Sequence, residues 1–449
     1  MNLPKEFIEK MHKLLGNEAE EFFSSLEKPS QKGITLNTSR MSKELFEKEF
    51  QEPISPIEKI SNGYYVGSFK FGENIFNHLG IIYSQEPSAM YPVELLDVKE
   101  GDIVLDLCAS PGGKSIQILE KLNGTGLLIS NEIVFSRAKI LEENISRMGF
   151  QNTIITCNSP KDFENTNLVF DKILVDAPCG GEGMIRKNNF DMSFYNPDSI
   201  ETNSIRQLSI LNSIKDLLKV GGTLIYSTCT YDTRENEEVV AKFLSQNPEF
   251  EIIEKSEFND VMEKGIKIDK FKTDLCFRRY PHKHQGEGQF MVALKKVQGN
   301  SSDFKIKSTT CTNFTPINSK ELGIIKSTLK DMIDCSNFEY LKRKDLVYVI
   351  PKEKVNLKNL NVVSIGCLLG QIQKDMLKIS HEFYHTFGEL FKHKIDLNFA
   401  DAKKYLHGEE LEKDLPNGVY AITYFDVALG GGKMVNGRLK NYYKKNSRI

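Results

Sequence analysis

No stretch of this 449-residue chain approaches the roughly 18 consecutive apolar residues that a membrane span needs. The opening MNLPKEFIEKMHK alternates charged and apolar side chains, so it holds no secretory hydrophobic region and the expected compartment is the cytoplasm. Net charge is also nearly absent: 59 Lys and Arg against 61 Asp and Glu leave −2, the balance of an ordinary soluble protein. The eight cysteines (Cys108, Cys157, Cys179, Cys229, Cys276, Cys311, Cys335 and Cys367) include no CxxC pair and no Cys/His cluster at zinc spacing. Neither a disulfide framework nor a zinc ribbon is therefore expected. No period of 20 to 50 residues repeats. The length fits two to four domains, and 40% hydrophobic residues suffice to give each its own core.

The chain reads as three domains. Residues 1–95 mix an amphipathic helical start (Phe7, Met11, Leu14, Leu15) with short apolar patches broken by Pro53, Pro56, Gly63 and Gly67, a small α+β unit. Over 96–298 short aliphatic runs alternate with helix-period segments, the pattern of a parallel sheet covered by helices. The expected strands are 103–108, 126–130, 153–157, 172–177 and 223–229. A helix carrying Ile205, Leu208, Leu211, Ile214 and Leu218 precedes the last of them and is expected to stop at Gly221 and Gly222. The polar segment VQGNSSDFKIKSTTC then reads as a linker to a third domain, 299–449. Its end carries Lys433, Arg438, Lys440, Lys444, Lys445 and Arg448 with Tyr442 and Tyr443 interleaved. That composition suits a polyanion such as RNA, and equally a solvated, frayed terminus.

In IVLDLCASPGGKS, Asp106 sits near a strand end and Pro111-Gly112-Gly113 permits a tight turn into a helix beginning near Lys114. Such a loop lets a ligand approach the backbone and offers it helix N-terminal N–H groups. It is not a phosphate-cradling GxxxxGK[ST] loop, because Cys108 stands where the first glycine belongs. Nor is it GxGxxG, since Gly112 and Gly113 are adjacent. An adenosine held by ribose and base remains, and that predicts an acid about 20 residues on, where Glu132 stands. Alone, Glu132 could merely interact with a helix dipole; with the loop, it points to S-adenosylmethionine.

DAPCGGEGMIRK places Asp176, Pro178 and Cys179 beyond the fourth strand, and STCTYDTRENE places Cys229 beyond the fifth. Adjacent strand ends open onto one ligand crevice, and a thiolate there can attack an electron-poor ring carbon. Methylation at carbon 5 of cytosine needs such a set: one cysteine adds to carbon 6, an acid such as Asp176 serves the N3 edge, and a second cysteine assists release. Residue types alone leave open which cysteine attacks.

LDLCASPGGKS, DAPCGGEGMIRK and STCTYDTRENE resemble the adenosylmethionine-loop, Pro-Cys and Thr-Cys motifs of the Nop/Sun family of RNA cytosine-C5 methyltransferases. YSQEPSAMYP (83–92) and GEGQFMVALKK (286–296) flank them as in that family, and LGGGKMVNGRLKNYY is similar to the end of the RNA-binding domain of its bacterial 16S ribosomal RNA member. The resemblance covers most of the chain after residue 80, and before it only ITLNT is loosely similar. It implies an α/β Rossmann-like class I methyltransferase domain and a C-terminal PUA-like RNA-binding domain. It also implies S-adenosylmethionine bound by Cys108, Ala109, Ser110, Pro111, Gly112, Gly113, Lys114 and Glu132, with Asp176 near both cofactor and cytosine. Cys229 would be the nucleophile and Cys179 would assist release. Asn158 stands where the family usually has an acid near adenine. Arg186 and Lys187 are candidate phosphate contacts, or plain surface charge. The implied substrate is 16S ribosomal RNA or the small ribosomal subunit, with tRNA as the alternative. No membrane and no stable protein partner is implied.

HEFYH (His381, Glu382, His385) spells the zinc-protease pattern H-E-x-x-H. Phe391 occupies the place of a third histidine, leaving Glu409 or Glu410 as substitutes. The same stretch resembles a metal-free segment of the family's C-terminal domain, and no metal site is expected. A scaffold that had lost catalysis would show damage at Cys229, Cys179, Asp176 or Glu132, and all four are intact.

Overall fold

The computed structural model describes residues 3–164, 166–187, 195–268, 270–299 and 308–449. The N-terminal periodicity yields α1 (Lys5–Leu15), burying Phe7 and Met11, and α2 (Ala19–Leu26). Then come β1 (Lys32–Leu36), α3 (Lys43–Glu49), β2 (Ile54–Pro56), β3 (Gly63–Val66), α4 (Ile75–His78) and β4 (Ile82–Gln85). The Ser42 and Asn74 side chains cap α3 and α4 by accepting N–H bonds that the first helical turn leaves unpaired. The four strands form one antiparallel sheet in the order β2-β3-β1-β4.

The expected α+β unit packs in two directions. Phe7, Met11, Phe22 and Leu26 share a core with Ile185, Tyr231 and Tyr280, far along the chain. The small sheet shares its core (Ile34, Leu36, Phe46) with the C-terminal sheet (Tyr405, Ile422, Leu439).

After α5 (Tyr91–Leu96) the chain builds the central sheet from β5 (Ile103–Asp106), α6 (Gly113–Leu122), β6 (Leu127–Asn131), α7 (Phe135–Met148), β7 (Thr153–Thr156), β8 (Phe170–Asp176), α8 (Ser199–Ile214) and β9 (Leu218–Thr228). It is completed by α9 (Glu237–Gln246), β10 (Phe250–Ile252), β11 (Glu263–Lys264), β12 (Phe277–Arg279) and β13 (Gln289–Lys296). The five parallel strands run in the order β7-β6-β5-β8-β9, with β13 antiparallel beside β9. Successive residues face opposite sides: Val104 enters one apolar core and Leu105 the other, as a strand covered on both faces requires.

Two local expectations are corrected. Helix α8 ends at Ile214 in a tight turn over Lys215–Leu217, and Gly221 and Gly222 lie inside β9 instead of stopping the helix. Pairing between β8 and β9 shifts register there; Gly221 has φ +85°, and a Cβ on Gly222 would fall 2.8 Å from the Asp171 carbonyl oxygen. The buried face of α8 is also rotated, so that Ile200, Gln207, Ile210, Leu211 and Ile214 are buried while Ile205 is 62% exposed.

The central sheet does not stop at residue 298. A strand at Val362–Ile365 pairs antiparallel with β7. Residues 308–449 otherwise hold a two-stranded parallel pair (Thr310–Cys311 with Asn356–Leu357) and two five-stranded sheets, one between Thr315 and Ile379 and one between Lys394 and Asn441. Positions 300–307 of the expected linker lie outside the described residues.

Candidate active site

Strand order reverses at β5, whose neighbours β6 and β8 feed helices on opposite sides, and ligands of such sheets bind beyond the strand ends at that point. A cavity of about 210 Å³ lies there, lined by Asp106, the Cys108–Pro111 loop, Gly113, Lys114, Asp176, Lys187, Cys229 and Gln289. Its remaining wall is Tyr83–Glu86 at the end of β4, with Ala89 and Met184, none of which the sequence singled out as chemistry-bearing.

The glycine loop is fixed from both sides. Gly112 takes φ +118°, a conformation that L side chains rarely adopt, and opens α6. The Ala109 N–H donates to the Asn131 carbonyl (2.9 Å), and Arg137 donates to the Ser110 carbonyl (3.0 Å). Burial pushes the Cys108 thiol far up, so it serves as a small apolar wall. Asp106 is fully buried; its Oδ2 accepts from Ser115 (2.7 Å), and its Oδ1 has no hydrogen-bond partner. Burial raises its pKa to about 7 against the lowering effects of Ser115 and Lys114. Glu132, 3% exposed at the end of β6, accepts from the Val134 N–H (2.9 Å) and faces Arg137 (3.5 Å).

Three donors converge on Asp176: Lys114 Nζ on Oδ2 (2.7 Å), and Ser227 Oγ (2.6 Å) and Gln289 Nε2 (3.4 Å) on Oδ1. Burial works against the Lys114 charge, but Asp176 and then Asp106 hold its pKa above the ordinary lysine value. The side chain of Lys114 thus completes this carboxylate network in addition to lying in the loop.

The two cysteines of the strand-end motifs meet. Their sulfurs are 3.4 Å apart, and the Cys229 N–H donates to Cys179 Sγ (3.3 Å). The hydrogen bond to Cys229, with burial second, pushes the Cys179 thiol well above its usual range, so Cys179 keeps its proton. Behind Cys179, Glu235 accepts from the Gly180 N–H (3.2 Å) and from Gln207 (2.8 Å), and burial raises its pKa to about 7.

Comparison with known proteins shows the family to which this fold belongs. The family described as 16S rRNA methyltransferase RsmB/F matches residues 93–295, the N-terminal domain of 16S rRNA methyltransferase RsmF matches 3–87, and the methyltransferase RsmF PUA domain matches 392–449. Ribosomal RNA small subunit methyltransferase F of Psychromonas ingrahamii is 30% identical over 98% of this chain and 96% of its own length. The chain belongs to the RsmB/F methyltransferase family. The Erwinia tasmaniensis enzyme of the same name is 28% identical over the same shares. Among solved structures, a methyltransferase homolog protein from Pyrococcus horikoshii is 28% identical with TM-score 0.58, covering 66% of this chain and 96% of its own. NSun6 from Pyrococcus horikoshii with SFG, 22% identical with TM-score 0.57, shows the same fold over 66% of this chain and 99% of its own.

This RsmB/F-family enzyme is thus an S-adenosylmethionine-dependent methyltransferase with a PUA domain, acting on RNA. Three other sequence expectations meet the structure differently. Arg186 is not a phosphate contact: its guanidinium is buried against Glu287 (3.1 Å) and the Gly286 carbonyl, while Lys187 is exposed at the cavity. Asn158, like Glu132, Gly112 and Cys179, stands outside the lining of the cavity; its amide donates to the Asn361 carbonyl (3.2 Å) and accepts from the Asn361 N–H (2.9 Å), fastening the edge strand at Val362–Ile365. HEFYH does form a helix, His381–Phe387, with the imidazoles 5.8 Å apart. There His385, 3% exposed, sets Nε2 on the Arg147 carbonyl (2.7 Å), and Glu382 faces Lys444 (3.3 Å). Among the described residues no three His, Cys, Asp or Glu side chains are grouped to hold a metal.

Proposed function

We propose that this enzyme methylates carbon 5 of cytosine in 16S ribosomal RNA through a covalent bond between Cys229 and carbon 6. The observation that carries this reading is the 3.4 Å pair of Cys179 and Cys229 at the cavity that Asp176 and Lys114 line. Curated relatives matching nearly the whole chain are named for the small-subunit RNA, which supports the substrate. Lys433 and Lys440 stand directly opposite each other on the PUA sheet, both exposed. Like charges so placed are unfavourable unless a polyanion lies across them.

For S-adenosylmethionine, Asp106 Oδ1 offers a buried acceptor with no protein partner, suited to an ammonium group. The Cys108–Gly113 turn offers close backbone approach, and Glu132 stands at the next strand end for the ribose. When bound, the cofactor supplies an electrophilic sulfonium methyl.

Cytosine must leave its stack to reach the cavity. Asp176, surrounded by donors, presents acceptor atoms, which suit the 4-amino group of cytosine and not the 4-oxo group of uracil. The Cys229 thiolate forms the S–C6 bond and shifts the C5=C6 electron pair to carbon 5, making it nucleophilic. After methylation, solvent water takes the C5 proton, and the released C–H electron pair reforms C5=C6 as the S–C6 bond breaks and its pair returns to the Cys229 sulfur. The Cys179 S–H is placed to stabilise the departing thiolate.

The test is mass spectrometry of nucleosides from 16S RNA, intact small subunits and tRNA after incubation with methyl-labelled cofactor, for wild type and Cys229→Ala. Labelled 5-methylcytidine from 16S RNA or subunits, absent with the variant, is the expected result. Label confined to tRNA would replace the substrate, and no 5-methylcytidine from any RNA would overturn the reading.

A further inference from the structure

The N-terminal helices have no core of their own. Their apolar face rests on the two loops that carry the cysteines: Phe22 meets the Tyr231 ring edge-on at 5.2 Å, and Phe7 and Met11 join a cluster with Ile185 and Tyr231. Ile185 follows Cys179 by six residues and Tyr231 follows Cys229 by two. One charged group enters this contact. Lys10, in the middle of α1 and between the rings of Phe7 (5.4 Å) and Tyr195 (5.2 Å), makes an ion pair with Glu182 of the Cys179 loop. It makes another with Asp232 of the Cys229 loop (3.4 Å).

Both carboxylates are nearly inaccessible, Glu182 at 1% and Asp232 at 3%. Asp232 has a second cation in Arg234 (2.9 Å), whereas the recorded ion pair of Glu182 among the described residues is with Lys10. Glu182 in turn accepts from the Thr230 hydroxyl and the Tyr231 N–H (3.1 Å), the two residues following Cys229. Beside this, the Gly183 N–H donates to the Cys229 carbonyl (2.8 Å). A buried carboxylate stripped of its cation protonates or moves toward water, and either change disturbs the acceptor that holds the Cys229 loop against the Cys179 loop. Lys10 itself is stabilised as a cation: burial opposes the charge, and Glu182 and Asp232 outweigh it.

We infer that Lys10 is a positioning residue for the two-cysteine site, supplied by the N-terminal helix and joining the Cys179 loop to the Cys229 loop through Glu182 and Asp232. The inference deepens the cysteine chemistry proposed above and rests on that reading for its effect on rate. Its geometric content stands apart, because the separation of the sulfurs can be read without turnover.

The experiment uses the full-length protein with Lys10→Met, Lys10→Arg and, as control, Lys13→Met on the exposed side of the same helix. Four quantities are measured: kcat, KM for RNA, cofactor affinity, and the rate at which diamide, a two-electron oxidant, joins Cys179 to Cys229, followed by peptide mass spectrometry. A shift of the order of 1 Å between reacting groups costs up to about a hundred-fold, so Lys10→Met is expected to lower kcat by at least about ten-fold. RNA KM and cofactor affinity stay within about two-fold, diamide cross-linking slows, and Lys10→Arg restores both kcat and cross-linking. Lys13→Met matches wild type. Wild-type kcat and cross-linking in Lys10→Met would overturn the inference. So would a loss of activity that follows melting temperature and cofactor affinity while cross-linking is unchanged. Should Cys229→Ala retain activity, the nucleophile assignment falls, and the cross-linking rates still decide the role of Lys10.

Discussion

Two regions of this molecule display a recognisable chemical pattern, and they differ in the charge that surrounds their polar atoms. At the ends of β5, β8 and β9, Cys229 faces a cavity, Asp106 Oδ1 has no partner and the Asp176–Lys114 pair borders the same space. On the His381–Phe387 helix His385 Nε2 is set on the Arg147 carbonyl, Glu382 faces Lys444 and Phe383 and Phe387 lie in the core, while Nδ1 of His381 and of His385 has no hydrogen-bond partner among the described residues. A larger cavity, about 620 Å³, borders this helix, so size does not separate the two regions. Burial pushes the pKa of His381 down to about 4 and that of His385 well below the usual imidazole value, keeping both imidazoles neutral, whereas the cysteine site retains charged partners. The lesson is that an unpartnered atom belongs to a site where charged groups stand beside it, and an open cavity alone does not make one.

The comparison is broken most sharply at the sulfurs. Cys229→Ala is expected to lower methylation by at least ~10³-fold and to abolish any covalent RNA adduct, while Cys179→Ala accumulates one, resolved on a denaturing gel. Adducts with Cys229→Ala and none with Cys179→Ala would exchange the two roles. One step back, Asp176→Asn leaves Lys114 buried without its carboxylate and is expected to cost about 10²-fold in kcat, with cofactor affinity changed less. Equal losses in cofactor affinity and kcat would place Asp176 on the cofactor alone.

Asp106 gives the comparison a pH axis. Its pKa of about 7 lies above the unfolded carboxylate value, so the folded protein binds the extra proton. The contribution to stability is full below the unfolded value and is lost as pH rises through about 7. The cofactor-free protein should therefore gain melting temperature from pH 8 to pH 5 relative to Asp106→Asn. A cationic ligand beside Asp106 favours the ionised form, so cofactor affinity should weaken below pH 7 in wild type and stay flat in Asp106→Asn, as calorimetry would show. The smallest effect on rate belongs to the histidine helix. His381→Ala and added chelator should leave methylation within about two-fold, while His385→Ala costs about 1–3 kcal/mol of stability because it leaves the Arg147 carbonyl unpaired. Loss of activity on chelation would restore the metal reading.

Much of the catalytic domain is legible in the sequence because its signals are local. The five strands of the parallel sheet, the turn at Gly112 and the placement of Cys179 and Cys229 at adjacent strand ends follow from periodicity, glycine and chain order. The contacts of Arg186 and Asn158 are not legible in the sequence because their partners, Glu287 and Asn361, lie 101 and 203 residues away. Gln289 went unnoticed because its place follows from pairing alone: Phe290 opposes Thr228, which sets Gln289 level with Cys229.

The sequence by itself determined the reaction class, since the order of side chains along strands and turns fixes which atoms a parallel sheet delivers to one edge. Only the tertiary structure decided which polar atoms remain available there, that the sulfurs of Cys179 and Cys229 meet, and that Lys10 forms ion pairs with both cysteine loops. Hydrogen bonds, ion pairs and burial join residues without regard to their separation along the chain, and those contacts come into being when the chain folds.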